Sequence, residues 1–190
     1  MVEEIATLVI IAGERWQYAI LDLDPSEAST AGASFNMGTT GWIISGGVVF
    51  DYRSEVDGSM AYYYEGSTLD PCYGHSNEVD QYHYHETPDC ISGSTNTSAC
   101  ILLGYMDDGY AVYGQCSTYS SCWTLTDGED GDNMSDYYYD YAAYANGTCG
   151  LDECGGRTVN GTYAYYFTDV VPYVPKCRMG TEGTTCGFTP

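Results

Sequence analysis

Apolar and β-branched residues come in short runs broken by Gly, Asn, Asp and Ser: ATLVIIAG, WQYAILDL, GWIISGGVVF, ILLGYMDDGYAVYG and YAYYFTDVVPYV. Runs of this length between turn formers predict strands. The first, Ile5 to Ala12, is evenly apolar rather than alternating. It is therefore expected to be covered on both faces, by its own domain or by the sheet edge of a neighbouring copy. One longer segment, SDYYYDYAAYANG (135–147), predicts a helix with Ser135 capping its start and Gly147 its end. SEASTAGASFNMGTTG reads as a small, polar loop and TDGEDGDNMSD as an acidic one. The pattern predicts an all-β or β-rich, sandwich-like domain with at most short helices.

A repeat shows more than any single run. LDPCYGHSNEVDQYHYHETPDC (69–90) aligns with LDECGGRTVNGTYAYYFTDVVPYVPKC (151–177). Leu, Asp and Cys recur in register, then a Gly-containing turn, then Tyr-x-Tyr, then a closing Cys. Two copies of one hairpin unit are expected, with Cys72 joined to Cys90 and Cys154 to Cys177. Cys116 to Cys122 is the expected third bridge, although eight cysteines alone allow about 105 pairings. All three histidines of the chain, His75, His83 and His85, fall in the first copy, and the second has Ala164 and Tyr166 where the first has His83 and His85. Positions two apart on a strand share a face, so His83 and His85 are expected to point one way and Tyr82 and Tyr84 the other.

Composition sets the class. The 190 residues are 44% hydrophobic, enough for one substantial core. Five basic residues against 27 acidic ones give a formal charge of -22, which repels nucleic acid and anionic membranes and concentrates cations. Adaptation to salty surroundings accounts for such a balance equally well. Nine cysteines with no CxxC pair point to disulfides and an oxidising compartment rather than to a zinc ribbon. Sequons at Asn96, Asn133, Asn146 and Asn160 fit an extracellular, glycosylated protein. The start, MVEEIATLVIIAG, has acidic residues where a secretion leader needs basic ones, and its apolar run is too short to span a membrane. On this reading either a leader precedes residue 1 or Met1 is not native.

The segments GWIISGGVVFD, CYGHSNEVDQYHYHETPDC, ILLGYMDDGYAVYG and LDECGGRTVNGTYAYYFTD occur in an order that resembles the YHYH-domain family of extracellular proteins, named for the four residues seen here as Tyr82 to His85. The resemblance covers about residues 41 to 180 and implies a secreted, β-rich domain. It divides the chain into an N-terminal strand and polar loop (1–40), a candidate assembly segment, and a YHYH-like domain (41–190) holding both repeats.

The histidine cluster carries the candidate chemistry. Two imidazoles on one strand face reach a common ion at about 2.0 to 2.1 Å, and a third from a preceding loop that contains Gly74 and Asn77 completes a set suited to copper or zinc. Glu78, Asp80 and Glu86 are close enough in sequence to orient the imidazoles, and Glu78 or Glu86 to supply a fourth ligand. The surrounding carboxylates are expected to raise the histidine pKa values. The alternatives are a hydrogen-bonded cluster without metal and pairing of the histidines with carboxylates in an interface. DGEDGDN (127–133) offers oxygen ligands for calcium but lacks EF-hand spacing, so a solvated acidic loop is the simpler reading.

The 21 tyrosines and near absence of lysine suit repeated protein contacts, so a homo-oligomer or filament is expected, as is a thiol left over from an odd cysteine count. No GxSxG elbow or Walker loop occurs. The function that fits is a secreted structural or binding protein with a histidine metal site, the alternative being a zinc- or copper-dependent extracellular enzyme using Glu78 or Glu86 as base.

Overall fold

The fold is known from a computed structural model that describes residues 5–12, 15–22, 25–28, 31–56, 58–95, 97–182 and 186–189. For the strands within 5–22 and 186–189 it defines backbone pairing. The chain is β-rich with several sheets and two short helices, and no helix among the described residues is long and apolar enough to cross a membrane.

The main sheet has eight strands. From the centre towards one edge run β4 (Thr39–Ile43), β5 (Val48–Phe50), β7 (Tyr82–Tyr84) and β6 (Gly74–Ser76). Towards the other edge run β8 (Leu102–Met106), β9 (Ala111–Tyr113), β13 (Thr162–Tyr166) and β12 (Gly156–Val159). The two halves repeat one plan. A hairpin turning at a positive-φ glycine (Gly46, Gly109) is followed by a second hairpin, whose last strand inserts parallel beside the first hairpin (β5 with β7, β9 with β13). At the centre β4 and β8 pair antiparallel, Trp42 opposite Tyr105, so the halves are related by an approximate two-fold axis.

The repeat is therefore longer than the hairpins that reveal it in the sequence. It takes in GWIISGGVVF and GYMDDGYAVY, where Gly41, Trp42 and Ile43 correspond to Gly104, Tyr105 and Met106. Corresponding residues meet in one core: Ile43 with Met106, Val49 with Val112, and Tyr84 with Tyr165 are all buried in the same cluster.

Each second hairpin is started by the same aspartate device. Asp70 Oδ1 accepts from the backbone N–H of Cys72 (2.7 Å) and Gly74 (3.3 Å), and its Oδ2 from the Tyr82 hydroxyl (2.8 Å). Asp152 does the same with Cys154 (2.9 Å), Gly156 (3.0 Å) and the Tyr163 hydroxyl (2.9 Å). An ionised carboxylate between two amides and a phenol fixes where the strand begins.

Cys72 is joined to Cys90 and Cys154 to Cys177, so each bridge closes its own repeat. Cys116 and Cys122 do not pair with each other, contrary to the expectation from their nearness. Cys116 is joined to Cys100 and Cys122 to Cys149, because an isolated bridge sets Thr97 beside Cys116 while β10 (Trp123–Leu125) pairs with β11 (Tyr137–Tyr139) next to the second cystine. Cys186, the ninth, lies in β15 (Cys186–Thr189).

The expected helix at 135–147 is shorter. Its first half is β11, since three tyrosines fit a pleated surface better than a helix, and α2 (Tyr141–Asn146) begins only at Asp140, whose side chain accepts from the Ala143 N–H at 2.9 Å. Gly147 closes it in the left-handed region, φ 79°, as expected. Of segment 26–41, Ala33–Ser34 (β3) pairs with Cys177–Arg178 (β14), residues 39–41 open β4, and the other described residues are mostly loop. The N-terminal β1 (Ile5–Ala12) and β2 (Arg15–Asp22) form a hairpin, with β15 on the far side of β2.

The central seam gives a sharp prediction. A Cβ on Gly104 would stand 1.8 Å from the Trp42 carbonyl oxygen, whereas on Gly41 the nearest atom is the movable Met106 sulfur at 2.7 Å. Gly104→Ala is expected to cost about 3 kcal/mol or more in urea denaturation and Gly41→Ala about 1 kcal/mol. Equal costs would show that the two halves are not held by this contact.

Candidate metal centre

Four side chains converge at the outer end of the first half. His75 lies on edge strand β6 directly opposite His83 on β7, and His85 follows on the same face as His83. The fourth is Glu65, the last residue of α1 (Ala61–Glu65). That helix is pinned by backbone bonds from Met60 N–H to the Asp132 carbonyl (2.8 Å) and Ala61 N–H to the Tyr52 carbonyl (2.7 Å). His83 and His85 are buried, His75 and Glu65 partly so. The His83 ring stacks on Phe50 at 3.8 Å between centroids.

The hydrogen bonds fix the tautomers. His83 Nδ1 faces the Gln81 carbonyl and His85 Nδ1 the Asp51 carbonyl, both at 3.1 Å, and a carbonyl only accepts, so each Nδ1 carries the proton. Thr68 Oγ1 donates to the Glu65 carbonyl (2.7 Å) and so accepts from His75 Nδ1 (2.8 Å). All three imidazoles thus turn a bare Nε2 towards the same point.

Each ring's Nδ1 proton is spent on its own acceptor, so the Nε2 atoms bring no hydrogen to one another. The Nε2 atoms of His83 and His85 are 3.1 Å apart, and Glu65 Oε2 is 3.2 Å from His75 Nε2 and 3.4 Å from His85 Nε2. One ligand atom from each of the four residues lies within 4.8 Å of every other. Four electron pairs facing inward repel unless a cation stands among them. A tetrahedral ion bound at about 2.0 to 2.1 Å requires ligand atoms about 3.3 Å apart, so the residues fit such an ion.

The electrostatics agree with ligands held ready. Burial, reinforced by the His85 charge, pushes His83 down to about 3, and the same two causes lower His75. The expectation that surrounding carboxylates raise these pKa values does not hold here, because desolvation outweighs the distant charge. In the state where His85 Nε2 carries a proton, the hydrogen bond from it pulls Glu65 down to about 2, against the opposing effect of burial. At neutral pH His75 and His83 are therefore neutral and Glu65 is a carboxylate.

Of the carboxylates proposed from sequence, none joins the cluster. Glu78 is exposed in the β6–β7 turn and Asp80 is exposed at φ 60°. Glu86, next after His85, is half-buried near Tyr62 and Tyr173, and desolvation pushes it up to about 7. Glu65 was missed because it sits in AYYYEG, outside the histidine motif, and only the return of α1 across the sheet brings it there.

The acidic loop brings carboxylates of Asp130, Asp132 and Asp136 together, but Asp136 caps the Asn133 N–H (3.0 Å) and Asp132 accepts from the Asn133 amide (2.8 Å). Asn133 is thereby held in a half-buried cap, Asn146 and Asn160 are exposed, and Asn96 lies outside the described residues.

Acid should reveal the buried imidazoles. Below the usual 6.5 an unfolded histidine takes up a proton that folded His83, at about 3, refuses, so the unfolded state binds more protons and stability falls as pH falls. Glu65 adds stability that is present above its usual 4.5 and is lost as pH drops through about 2. Chelator-treated protein is expected to lose urea resistance from pH 7 to 5.5, and His83→Gln to flatten part of that slope. Identical slopes in both proteins would contradict the burial argument.

Comparison with known proteins bears on the same residues. No curated protein and no solved structure matches this chain significantly. The profile of the family described as "YHYH protein" matches residues 18–180, a span that starts within β2 and contains the four converging residues and both repeats. The chain belongs to the YHYH protein family.

Proposed function

We propose that the protein is a secreted, disulfide-stapled binding or structural protein whose first repeat holds one transition-metal ion through His75, His83, His85 and Glu65. The observation that carries this reading is a set of four ligand atoms that all lie within 4.8 Å of one another, three of the separations being 3.1 to 3.4 Å, with each ring oriented by an acceptor on its other nitrogen. Near-tetrahedral spacing suits zinc better than copper(II), which prefers tetragonal sites. The ion would tie α1 to the sheet edge. A fourth protein ligand favours a holding role over hydrolysis, which needs an open coordination position; the adjoining cleft, about 310 Å³, is what the enzyme alternative rests on. Four disulfides suit an oxidising, extracellular setting.

Self-association belongs to the same reading. Tyr63 and Tyr64 on α1 and Tyr138, Tyr141 and Tyr144 near α2 are exposed. Among the described residues β1 pairs only with β2, which leaves an edge for a second copy.

Two measurements test these points. Elemental analysis after mild purification should give one zinc or copper ion per chain, lost in His83→Ala and Glu65→Ala. Free ion at about 100 times Kd adds about 2.7 kcal/mol and should raise Tm by about 5 to 10 °C. Equal melting of loaded and chelated protein would rule out a structural ion. For assembly, light scattering should detect oligomers that deletion of residues 1–12 abolishes without unfolding the rest, and a monomer at high concentration would count against it.

A further inference from the structure

A second cleft lies at the opposite end of the sheet from the histidines. It encloses about 900 Å³ beside edge strand β12, and its walls include Tyr110, Tyr119, Tyr144 and Tyr163. Arg157 stands among them, at the hairpin position that His75 holds in the first half.

Arg157 and Lys176, which lies over the Trp123 ring, are the described cations with no carboxylate in ion-pair range. With 27 acidic residues to five basic ones, a cation is expected to find a carboxylate, and Arg53 and Arg178 do, with Asp51 and Asp107. Among the described residues no carboxylate lies within 4.0 Å of the Arg157 guanidinium. Its Nη1 donates to the Gly150 carbonyl at 3.3 Å, its plane lies over the Tyr119 ring at 4.1 Å, and its buried Nε has no acceptor. The two carboxylates of the wall do not serve it. Asp152 already takes the Cys154 and Gly156 amides and the Tyr163 hydroxyl, and Glu27 is exposed.

We infer that this cleft binds a carboxylate-bearing saccharide, a uronate, with the acid group on Arg157 and sugar ring faces against the tyrosines. Guanidinium recognises carboxylate through paired N–H donors, and a stacked guanidinium holds its orientation. Tyrosine rings offer flat apolar faces to sugar C–H groups, while Thr148 and Thr158 in the wall present hydroxyls to those of the sugar. The chain's net negative charge opposes an anion at long range, but charges beyond about 8 Å are screened at physiological ionic strength, and contact with Arg157 is not.

Calorimetric titration of the full chain with tetrasaccharides of galacturonate, glucuronate and mannuronate, each beside its uncharged methyl ester, tests the inference. At least one uronate is expected to bind about tenfold or more tighter than its ester. Arg157→Gln is expected to abolish that preference, and Tyr144→Ala, which removes an exposed ring that reaches the core only at Tyr139, to weaken acid and ester alike. Prior treatment with chelator is expected to leave binding unchanged, since the histidine cluster lies at the other end of the sheet. Equal affinity for acid and ester, or an unchanged preference in Arg157→Gln, overturns the assignment to Arg157. No binding to any uronate at millimolar concentration overturns the site.

Discussion

Backbone meets backbone at the middle of the main sheet, where β4 and β8 approach with no room for a side chain at Gly104. The seam joins two four-strand units, and what each unit does follows from its distance to it. Near the axis the pairs Ile43 and Met106, Val49 and Val112, and Tyr84 and Tyr165 fill one shared core and leave little freedom to differ. At the outer edges, β6 and β12 carry the residues in which the halves depart from each other. Symmetry constrains the centre and releases the rims.

The two rims answer one electrostatic problem in different ways. In the first, three imidazoles and a carboxylate face each other around the position proposed for a cation. In the second, the place of His75 is taken by Arg157, whose positive charge is part of the chain and rests on Tyr119, while Ala164 and Tyr166 replace the other two imidazoles. Tyr166 packs edge-on to Tyr119 at 5.1 Å, so aromatic surface fills what nitrogen ligands fill on the other side. The proposed ion would therefore brace one rim and leave the other untouched.

Much of this was legible in the sequence, and the limits have physical causes. Strand positions and the two cystines that close the hairpins followed from local runs and from the repeat. The shared face of His83 and His85 followed from strand alternation. Glu65 did not, because a five-residue helix without a side-chain N-cap has no periodicity to read and its return to the sheet depends on contacts with Tyr52 and Asp132. The partners of Cys116 and Cys122 were hidden for a similar reason: sequence nearness says nothing of which strand each cysteine abuts. The histidine pKa values were misjudged by counting charges without knowing burial. The wider repeat was visible in GWI and GYM but needed the β4–β8 register to be seen as one unit.

Parallel insertion of β7 beside β5, and of β13 beside β9, means that each unit closes only when its second hairpin swings back onto the first. Yet all four strands of the first unit lie between residues 39 and 84, ahead of every strand of the second. A chain emerging N-terminus first from a ribosome or a translocation pore could therefore complete one half, with its own cystine, while the other is still being delivered. The finished half then presents β4 as a template edge on which β8 pairs. Duplication in tandem, rather than interleaved, makes the order of synthesis an order of assembly.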